Sequence, residues 1–469
     1  MTALWKTDAF VAASGGRLDG VAPPEIGGVS IDSRTVSVGD AFVAIKGERL
    51  DGHDFVEAAL KSGAALALVQ EGRVAATAGP LLVVPDDPLA ALERIGIVSR
   101  ARMQGSIVAV TGSVGKTGTK EMLRLALSEV GCTHSPVGSF NNQWGVPLTL
   151  ARMPADTRFG VFEIGMNHPG EIRPLVKMVR PHIVIVTTVE PVHLAYFDGE
   201  QAIAEAKAEI FEGLEPGGTA ILNRDNKWFD LLAQRARAHG ARVVSFGSHP
   251  EADVRLDRAV LQEDGSSIQA VLFGQPVTYR LGAPGKHLVQ NSLAVVAAAH
   301  ALEADVARVL LALAKFRAPK GRGERLPLAH PAGIFTLIDE SYNANPASMR
   351  AALALLGQAN PQGRGRRIAV LGDMLELGEA ASMQHRGLAP AVRESGADLV
   401  FLAGPMMAEL WRDLPDERRG AYAESAAELE PILLKSIGPG DVIMMKASLG
   451  TRLGPVVDAV KRRFAPEAA

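Results

Sequence analysis

The chain is predicted to be an α/β protein of three domains, and three observations carry that reading. Its 469 residues suit about three cores of ~150 residues each. Short apolar β-type runs alternate with segments of helical period along the whole length. Many of these runs end in glycine or polar residues, as strands of a parallel sheet do where ligand-binding loops leave their carboxyl ends. The expected division is a small N-terminal α/β domain over 1–105, a central parallel sheet with a phosphate-binding loop over 106–318, and a C-terminal Rossmann-like doubly wound sheet over 319–469.

Composition narrows the class. Apolar residues make up 47% and charged residues 22% of the chain, the balance of a water-soluble globular protein. A net charge of −3 gives no electrostatic reason to expect nucleic acid or an anionic membrane as partner. Cys132 is the single cysteine, so no internal disulfide can form, in keeping with a reducing cytosol. It reads as a small buried apolar position just past a helix. The N-terminus lacks the basic start and apolar core of a signal peptide, and no apolar run approaches 18 residues. A cytoplasmic protein that is not integral to a membrane is expected.

In the first hundred residues, Val29–Arg34 and Ala41–Gly47 read as two short strands joined by a turn at Gly39-Asp40. Leu66–Val69 and Leu81–Val84 read as further buried strands. Ser33, Arg34 and His53, taken alone, are solvated loop residues. Residues 88–105 have a helical pattern ending at Gly105, which marks the first junction.

The central domain opens with Ile107-Val108-Ala109-Val110-Thr111-Gly112-Ser113-Val114-Gly115-Lys116-Thr117. A strand ends in a glycine turn, and Met122, Leu123, Ala126, Leu127 and Val130 then recur at helical spacing. Gly112 and Gly115 would let backbone N–H groups approach phosphate oxygens, and a helix N-terminus favours negative charge. Lys116 would reach the terminal phosphates, and the Thr117 hydroxyl would ligate Mg²⁺. The motif is the shorter form, since Val110 stands where the longer one has its first glycine. An ordinary glycine turn opening a helix is the competing reading.

Further on, residues 138–147, with Asn141 and Asn142, are too rich in amides for a core. Phe159–Gly165 is an apolar strand with Glu163 near its carboxyl end. That carboxylate is either a Mg²⁺ ligand beside the phosphate loop or a glutamate that simply emerges there. His193 follows the strand 182–188, as a ligand or as an ordinary loop residue. Lys207 sits in a helix expected over 202–214 and by itself reads as solvated. Residues 252–280 suggest antiparallel strands at the domain edge, and Gly285–Asn291 opens an alanine-rich helix. The basic, turn-rich Phe316–Gly323 marks the second junction. Beyond it, apolar runs end at Asp339, Leu371, Leu402 and Met445, each followed by a glycine or polar loop.

Together these residues resemble the Mur ligase family. Asp32-Ser33-Arg34, Gly39–Ala44, Lys46-Gly47-Glu48 and Asp51–Phe55 are similar to its UDP-sugar-binding block. Thr111–Thr117 with Lys120-Glu121-Met122 is similar to its ATP loop, and Asn141-Asn142, Gly145–Thr149 and Glu163–Asn167 also match. Asp339-x-x-Tyr342-Asn343-Ala344-Asn345-Pro346 and Leu371-Gly372-Asp373-Met374 resemble the member that adds D-alanyl-D-alanine. Three positions depart: the family usually has Asn at Val114 and Thr at Gly118, and its Lys-Gly-Ser-Arg run reads Lys446-Ala447-Ser448-Leu449 here.

The resemblance implies an ATP-dependent amide ligase acting on UDP-N-acetylmuramoyl-tripeptide through an acyl phosphate. It implies ATP at Thr111–Gly118, with Asn291, Arg322 and Asp339 near the adenine, phosphates and ribose. It implies Mg²⁺ at Thr117, Glu163, His193 and a carbamylated Lys207. Ser33, Arg34, Lys46, Gly47, His53, Asn141 and Asn142 would bind the nucleotide-sugar peptide. Asn343, Asn345, Asp373, Lys446 and Ser448 would receive the dipeptide. A monomer whose domains rotate about residues near 105 and 318 is expected. Rival readings are a sister ligase adding another amino acid, a folylpolyglutamate synthetase-like enzyme, and a nucleotide-binding module without turnover.

Overall fold

The structure is a computed structural model that describes residues 3–74, 79–192 and 194–465. Besides a two-stranded pair, Trp5–Lys6 with Glu25–Ile26, three larger sheets follow one another along the described residues. In the first, Gly28–Ser30, Asp40–Val43, Leu66–Gln70 and Leu81–Val84 lie side by side in parallel, and Arg17–Asp19 closes one edge antiparallel. The two earliest of these four strands are therefore joined by a crossover containing the 3₁₀ turn Ser33–Thr35, not by a hairpin.

The central sheet has nine strands, and Ser106–Thr111 lies between Phe159–Glu163 and Ile183–Val186, all parallel. Alternation along this strand sends Val108 and Val110 into one core and Ile107 and Ala109 into the other. Helices cover both faces, which explains why the strand reads as an unbroken apolar run. Pairing of Glu163 with Val110 and of Val186 with Thr111 brings three strand ends to one edge. Val254–Gln262, Gly265–Leu272 and Gln275–Leu281 form the expected antiparallel margin.

In the third sheet, Gly333–Glu340, Val442–Lys446, Arg367–Gly372, Leu399–Ala403 and Arg419–Ala423 are parallel, with Glu324–His330 antiparallel at the edge. The helix expected over 202–214 is an α-helix at Glu200–Ala208 that tightens into a 3₁₀ segment at Glu209–Gly213. Cys132 is exposed rather than buried. It lies in a turn whose carbonyl accepts Arg158 N and Phe159 N, leaving the thiol facing outward.

The two junctions differ. At the first, Leu148 and Ala151 of the central helix Gly145–Ala151 belong to the core of the N-terminal sheet, beside Phe10, Leu92 and Ile95. Trp5 Nε1 donates to Ala151 O (2.8 Å) and Arg152 Nε to Val29 O (2.6 Å). The Arg102 guanidinium lies 3.6 Å from the Trp5 ring centre. This packing opposes the hinge expected near residue 105. Among the described residues, the C-terminal clusters include no residue before Leu328. Their domain meets the centre through polar and glancing contacts, such as Arg322 Nη2 to Ser139 Oγ (3.0 Å) and Gly378 against Ala195. Among the described residues, no helix is long and apolar enough to cross a membrane.

Candidate active site

A cavity of about 480 Å³ opens between the central and C-terminal sheets. Its central wall is the loop after Ser106–Thr111, which needs glycine at two points. Gly112 (φ +148°) brings its α-carbon so close to Thr187 that a Cβ would stand 1.9 Å from Oγ1. Gly115 (φ +87°) packs over Asn291, with 2.6 Å between a Cβ there and Nδ2. Thr187 Oγ1 donates to Val114 O (2.6 Å), fixing the loop from the neighbouring strand.

From this loop Ser113, Val114, Gly115, Lys116 and Gly118 line the cavity. Lys116 Nζ donates back to Gly112 O (2.7 Å). Its pKa is lowered, first by burial and further by Arg322, while Glu163 opposes the shift. Thr111 has a different place: it is buried in the strand, where its carbonyl accepts Thr187 N. Asn291 Nδ2 is buried and has no hydrogen-bond acceptor among the described residues. A ligand acceptor in the cavity would satisfy it.

Thr117 and Glu163 meet where the helix Lys116–Ser128 begins. The Thr117 hydroxyl donates to Glu163 Oε2 (2.9 Å), and Asn141 Nδ2 donates to Glu163 Oε1 (2.7 Å). Both donors to a cation would be hard oxygens. Their separation matches the edge of an octahedron with bonds of about 2.1 Å, the geometry Mg²⁺ demands. The residues present thus fit Mg²⁺, although no cluster of three or more His, Cys, Asp or Glu suited to a metal is found among the described residues. His193 lies outside the described residues.

Lys207 is buried, 2% exposed, against its solvated reading. No hydrogen bond or ion pair among the described residues reaches its ammonium. Burial first, and the charge of Lys116 second, hold its pKa well below the ordinary lysine value.

The opposite wall comes from the C-terminal sheet: Arg322, Glu340, Tyr342, Asn343, Asn345 and Lys446. Arg322 stacks over the Tyr342 ring at 4.1 Å. Lys446 Nζ pairs with Glu340 Oε2 (3.2 Å) and donates to Asn343 O (2.9 Å). Glu340 and His287, which faces this pair from the central domain, were not singled out by sequence. The pleat held the signal for Glu340, since Asp339 and Glu340 must point to opposite faces.

Several expected ligands are turned elsewhere. Asp339 is 1% exposed and accepts the Ser341 hydroxyl (2.7 Å) and Lys461 Nζ (3.4 Å), so it is absent from the cavity wall. Asp373 accepts Met407 N (3.0 Å) and Met406 N (3.3 Å), tying the next loop, and burial raises its pKa. The Ser448 hydroxyl donates to Ala344 O (3.2 Å) and accepts Leu375 N (3.0 Å). Asn142 Oδ1 accepts Gly145 N (3.0 Å) within its own loop. These four are bracing groups because backbone groups claim the polar atoms of Asp373, Ser448 and Asn142, and Ser341 and Lys461 claim those of Asp339. Leu449 is exposed, and Arg452 begins the last helix with φ +60°.

The N-terminal candidates form a separate group. Arg34 is exposed and paired with Asp32 (2.6 Å) beside Ser33. A Cβ added at Gly47, next to exposed Lys46, would stand 3.9 Å from the Trp144 ring, so the two residues are neighbours. That proximity sets them beside the loop whose other flank, Ser139 and Asn141, lines the cavity. His53 is buried, and its Nε2 accepts Gln70 N (3.1 Å). Its proton is therefore on Nδ1, donated to Asp51 (2.6 Å), and both ring nitrogens are taken.

Comparison with known proteins matches three family models in chain order. They are the Mur ligase family catalytic domain over residues 25–110, the Mur ligase middle domain over 110–299, and the Mur ligase glutamate ligase domain over 321–449. The UDP-N-acetylmuramoyl-tripeptide--D-alanyl-D-alanine ligase of Bacillus subtilis is 31% identical, over 92% of each chain. Its namesake from Escherichia coli is 35% identical over 80% of this chain and 81% of that one. Among solved structures, MurF from Acinetobacter baumannii superposes with a TM-score of 0.84 at 31% identity, covering 98% of this chain and 99% of the other.

Proposed function

This chain belongs to the Mur ligase family, and from that premise we propose that it joins D-alanyl-D-alanine to the peptide carboxylate of UDP-N-acetylmuramoyl-tripeptide, with ATP cleaved to ADP and phosphate. The observation that carries the reading is the single cavity that joins the phosphate loop to Asn343, Asn345 and Lys446 of the C-terminal domain. One wall suits a nucleoside triphosphate and the other an incoming polar acceptor. The loops 46–52 and 139–145, neighbours at Gly47 and Trp144, give a path for a long nucleotide-sugar peptide.

A carboxylate is a poor electrophile because oxide is a poor leaving group. Its oxygen attacks the γ-phosphorus, ADP departs, and an acyl phosphate results. The dipeptide amine attacks the acyl carbon, loses a proton, and phosphate leaves as the amide forms. The protein's part is positioning and charge neutralisation. The Lys116 ammonium and the loop's backbone N–H groups other than that of Ser113, which Thr188 O accepts (2.8 Å), hold the phosphates, and Arg322 approaches from the junction. Thr117 and Glu163 would hold Mg²⁺, and Asn141 fixes the orientation of Glu163. Bound there, Mg²⁺ would offset the charge gathering on the transferred phosphoryl group. Lys207, with its lowered pKa, is suited to add CO₂ as a carbamate, releasing one proton and supplying a further oxygen ligand. Lys446 and the amides of Asn343 and Asn345 suit the carboxylate and peptide groups of D-alanyl-D-alanine. We assign the protein to the cytoplasm, since the tripeptide and dipeptide substrates are small cytoplasmic precursors of peptidoglycan, and take a monomer as its working state because the proposed site is built from one chain.

The test is phosphate release from ATP with UDP-N-acetylmuramoyl-tripeptide, with and without D-alanyl-D-alanine. Release that needs the dipeptide and yields the UDP-linked pentapeptide establishes the reading. Release with a single amino acid instead indicates a sister ligase. ATP binding without turnover on any acceptor indicates a nucleotide-binding module.

A further inference from the structure

Lys120 lies one helical turn beyond Lys116 and points away from the cavity. Its side chain is 0% exposed. Nζ donates to Gly138 O (2.9 Å) and Pro136 O (3.1 Å) and pairs with Glu121, which Arg124 holds in turn (2.8 Å). A buried ammonium is costly unless it is both paired and hydrogen-bonded. Here it meets both conditions by gripping a loop that has no helix or strand of its own around residues 136–141. Apolar packing does little to hold that loop, for Val137 is 81% exposed.

The gripped loop carries two polar groups into the site. Ser139 Oγ is 3.3 Å from Thr117 Oγ1 and accepts from Arg322 Nη2 (3.0 Å). Asn141 reaches Glu163, as described above. From its buried slot Lys120 thus fixes the segment that sets the orientation of Thr117 and Glu163 from one side. Through Ser139 the same segment meets the arginine of the second junction.

We infer that Lys120 is a positioning residue, holding residues 136–141 so that Ser139 and Asn141 align Thr117 and Glu163 for the nucleotide phosphates and Mg²⁺. The inference rests on reading the cavity as an ATP site. Lys120 itself lines no part of the cavity and touches no reacting group.

Two variants reach the loop from opposite ends. Lys120→Met keeps the length of the side chain and removes the donor. Gly138→Val leaves Lys120 intact but strains the loop at φ +72°, where an added Cβ meets nothing within 4 Å. Calorimetry with Mg²⁺ and a non-hydrolysable ATP analogue gives affinity, thermal melting reports folding, and kcat and KM are measured separately. Both variants are expected to lose affinity for the Mg²⁺-analogue pair by about 10- to 100-fold. Their kcat should fall and KM for ATP should rise, while KM for D-alanyl-D-alanine, placed at Asn343, Asn345 and Lys446 on the opposite wall, stays put. The double variant should lose no more than the worse single one.

Folded variants that bind with wild-type affinity overturn the inference, as do losses that multiply in the double variant. Loss confined to Lys120→Met overturns the route through the loop. Should Lys120→Met fail to fold, Gly138→Val decides alone. A wild-type chain that binds no nucleotide overturns the reading of the cavity, and this inference with it.

Discussion

The hydroxyl of Thr117 and the carboxylate of Glu163 are joined by a 2.9 Å hydrogen bond across two elements. One residue stands in the first turn after the phosphate loop and the other at the end of the adjacent strand, so the contact holds helix and sheet edge in register. Asn141 occupies the second carboxylate oxygen, leaving Glu163 little rotational freedom.

Glu163→Gln should therefore preserve the fold and remove the charge. We expect kcat to drop roughly 100-fold or more, in the range for loss of a group that acts on developing charge. Melting should move by no more than a few degrees. Phosphate release and thermal denaturation of the purified variant check both halves, and wild-type turnover would remove Glu163 from the chemistry.

Lys207→Met should raise stability while ending turnover. Between the depressed folded pKa of Lys207 and its ordinary 10.5, the unfolded chain binds a proton that the folded chain releases. Stability consequently rises with pH across that window. Removing the amine should stabilise the fold at neutral pH by about 1 kcal/mol and flatten this dependence, as measured by denaturant titration at pH 7 and 9.5 in CO₂-free buffer. With ¹³C-bicarbonate, a carbamate resonance should appear in the wild type and be missing from the variant.

Asp339 and Glu340 should separate stability from function. Asp339→Ala strips partners from Ser341 and Lys461 and should cost roughly 1–3 kcal/mol. Glu340→Gln keeps an acceptor for Lys446 and should alter KM or kcat with little change in melting. Urea titration and steady-state kinetics of both variants distinguish them, and the reverse pattern would place Asp339 at the ligand.

Acid should weaken the N-terminal sheet through Asp51. Burial raises its pKa, but hydrogen bonds from His53 and the pairing with Arg73 outweigh that and bring it to about 2. Because the folded value is depressed, its stabilising contribution is complete above the ordinary carboxylate pKa and fades as pH falls toward about 2. Asp51→Asn should remove that portion of the acid sensitivity, seen in urea titrations at pH 7, 4 and 3.

Much of this fold was legible because parallel strands buried on both faces must be apolar and must end in loops. The phosphate loop stood out because glycine, lysine and threonine at that spacing carry a mechanism. Which carboxylate of Asp339-Glu340 faces the cavity depends on the register with Val442–Lys446, which is non-local. Asp373 and Ser448 looked like ligands until backbone groups 30 or more positions away claimed their oxygens. Lys207 looked solvated because a lysine on a helix usually faces water, and only tertiary packing buries it. Cys132 failed in the opposite sense, since a turn at a sheet edge leaves even a small thiol outside.

The helix Gly145–Ala151, sunk into the N-terminal core, makes the first half of the molecule a gauge of fixed length. On the function proposed above, the loop at Gly47 and the loop at Gly112–Lys116 would sit on one body, and the span between them would act as a ruler against which the substrate is measured. A peptide of the wrong length would present its carboxylate short of the phosphates or beyond them. On the same reading, the C-terminal domain, which shares no such core among the described residues, would deliver the second reactant. Expressing the chain from residue 106 onward, without the N-terminal sheet, would lay Leu148 and Ala151 open to water.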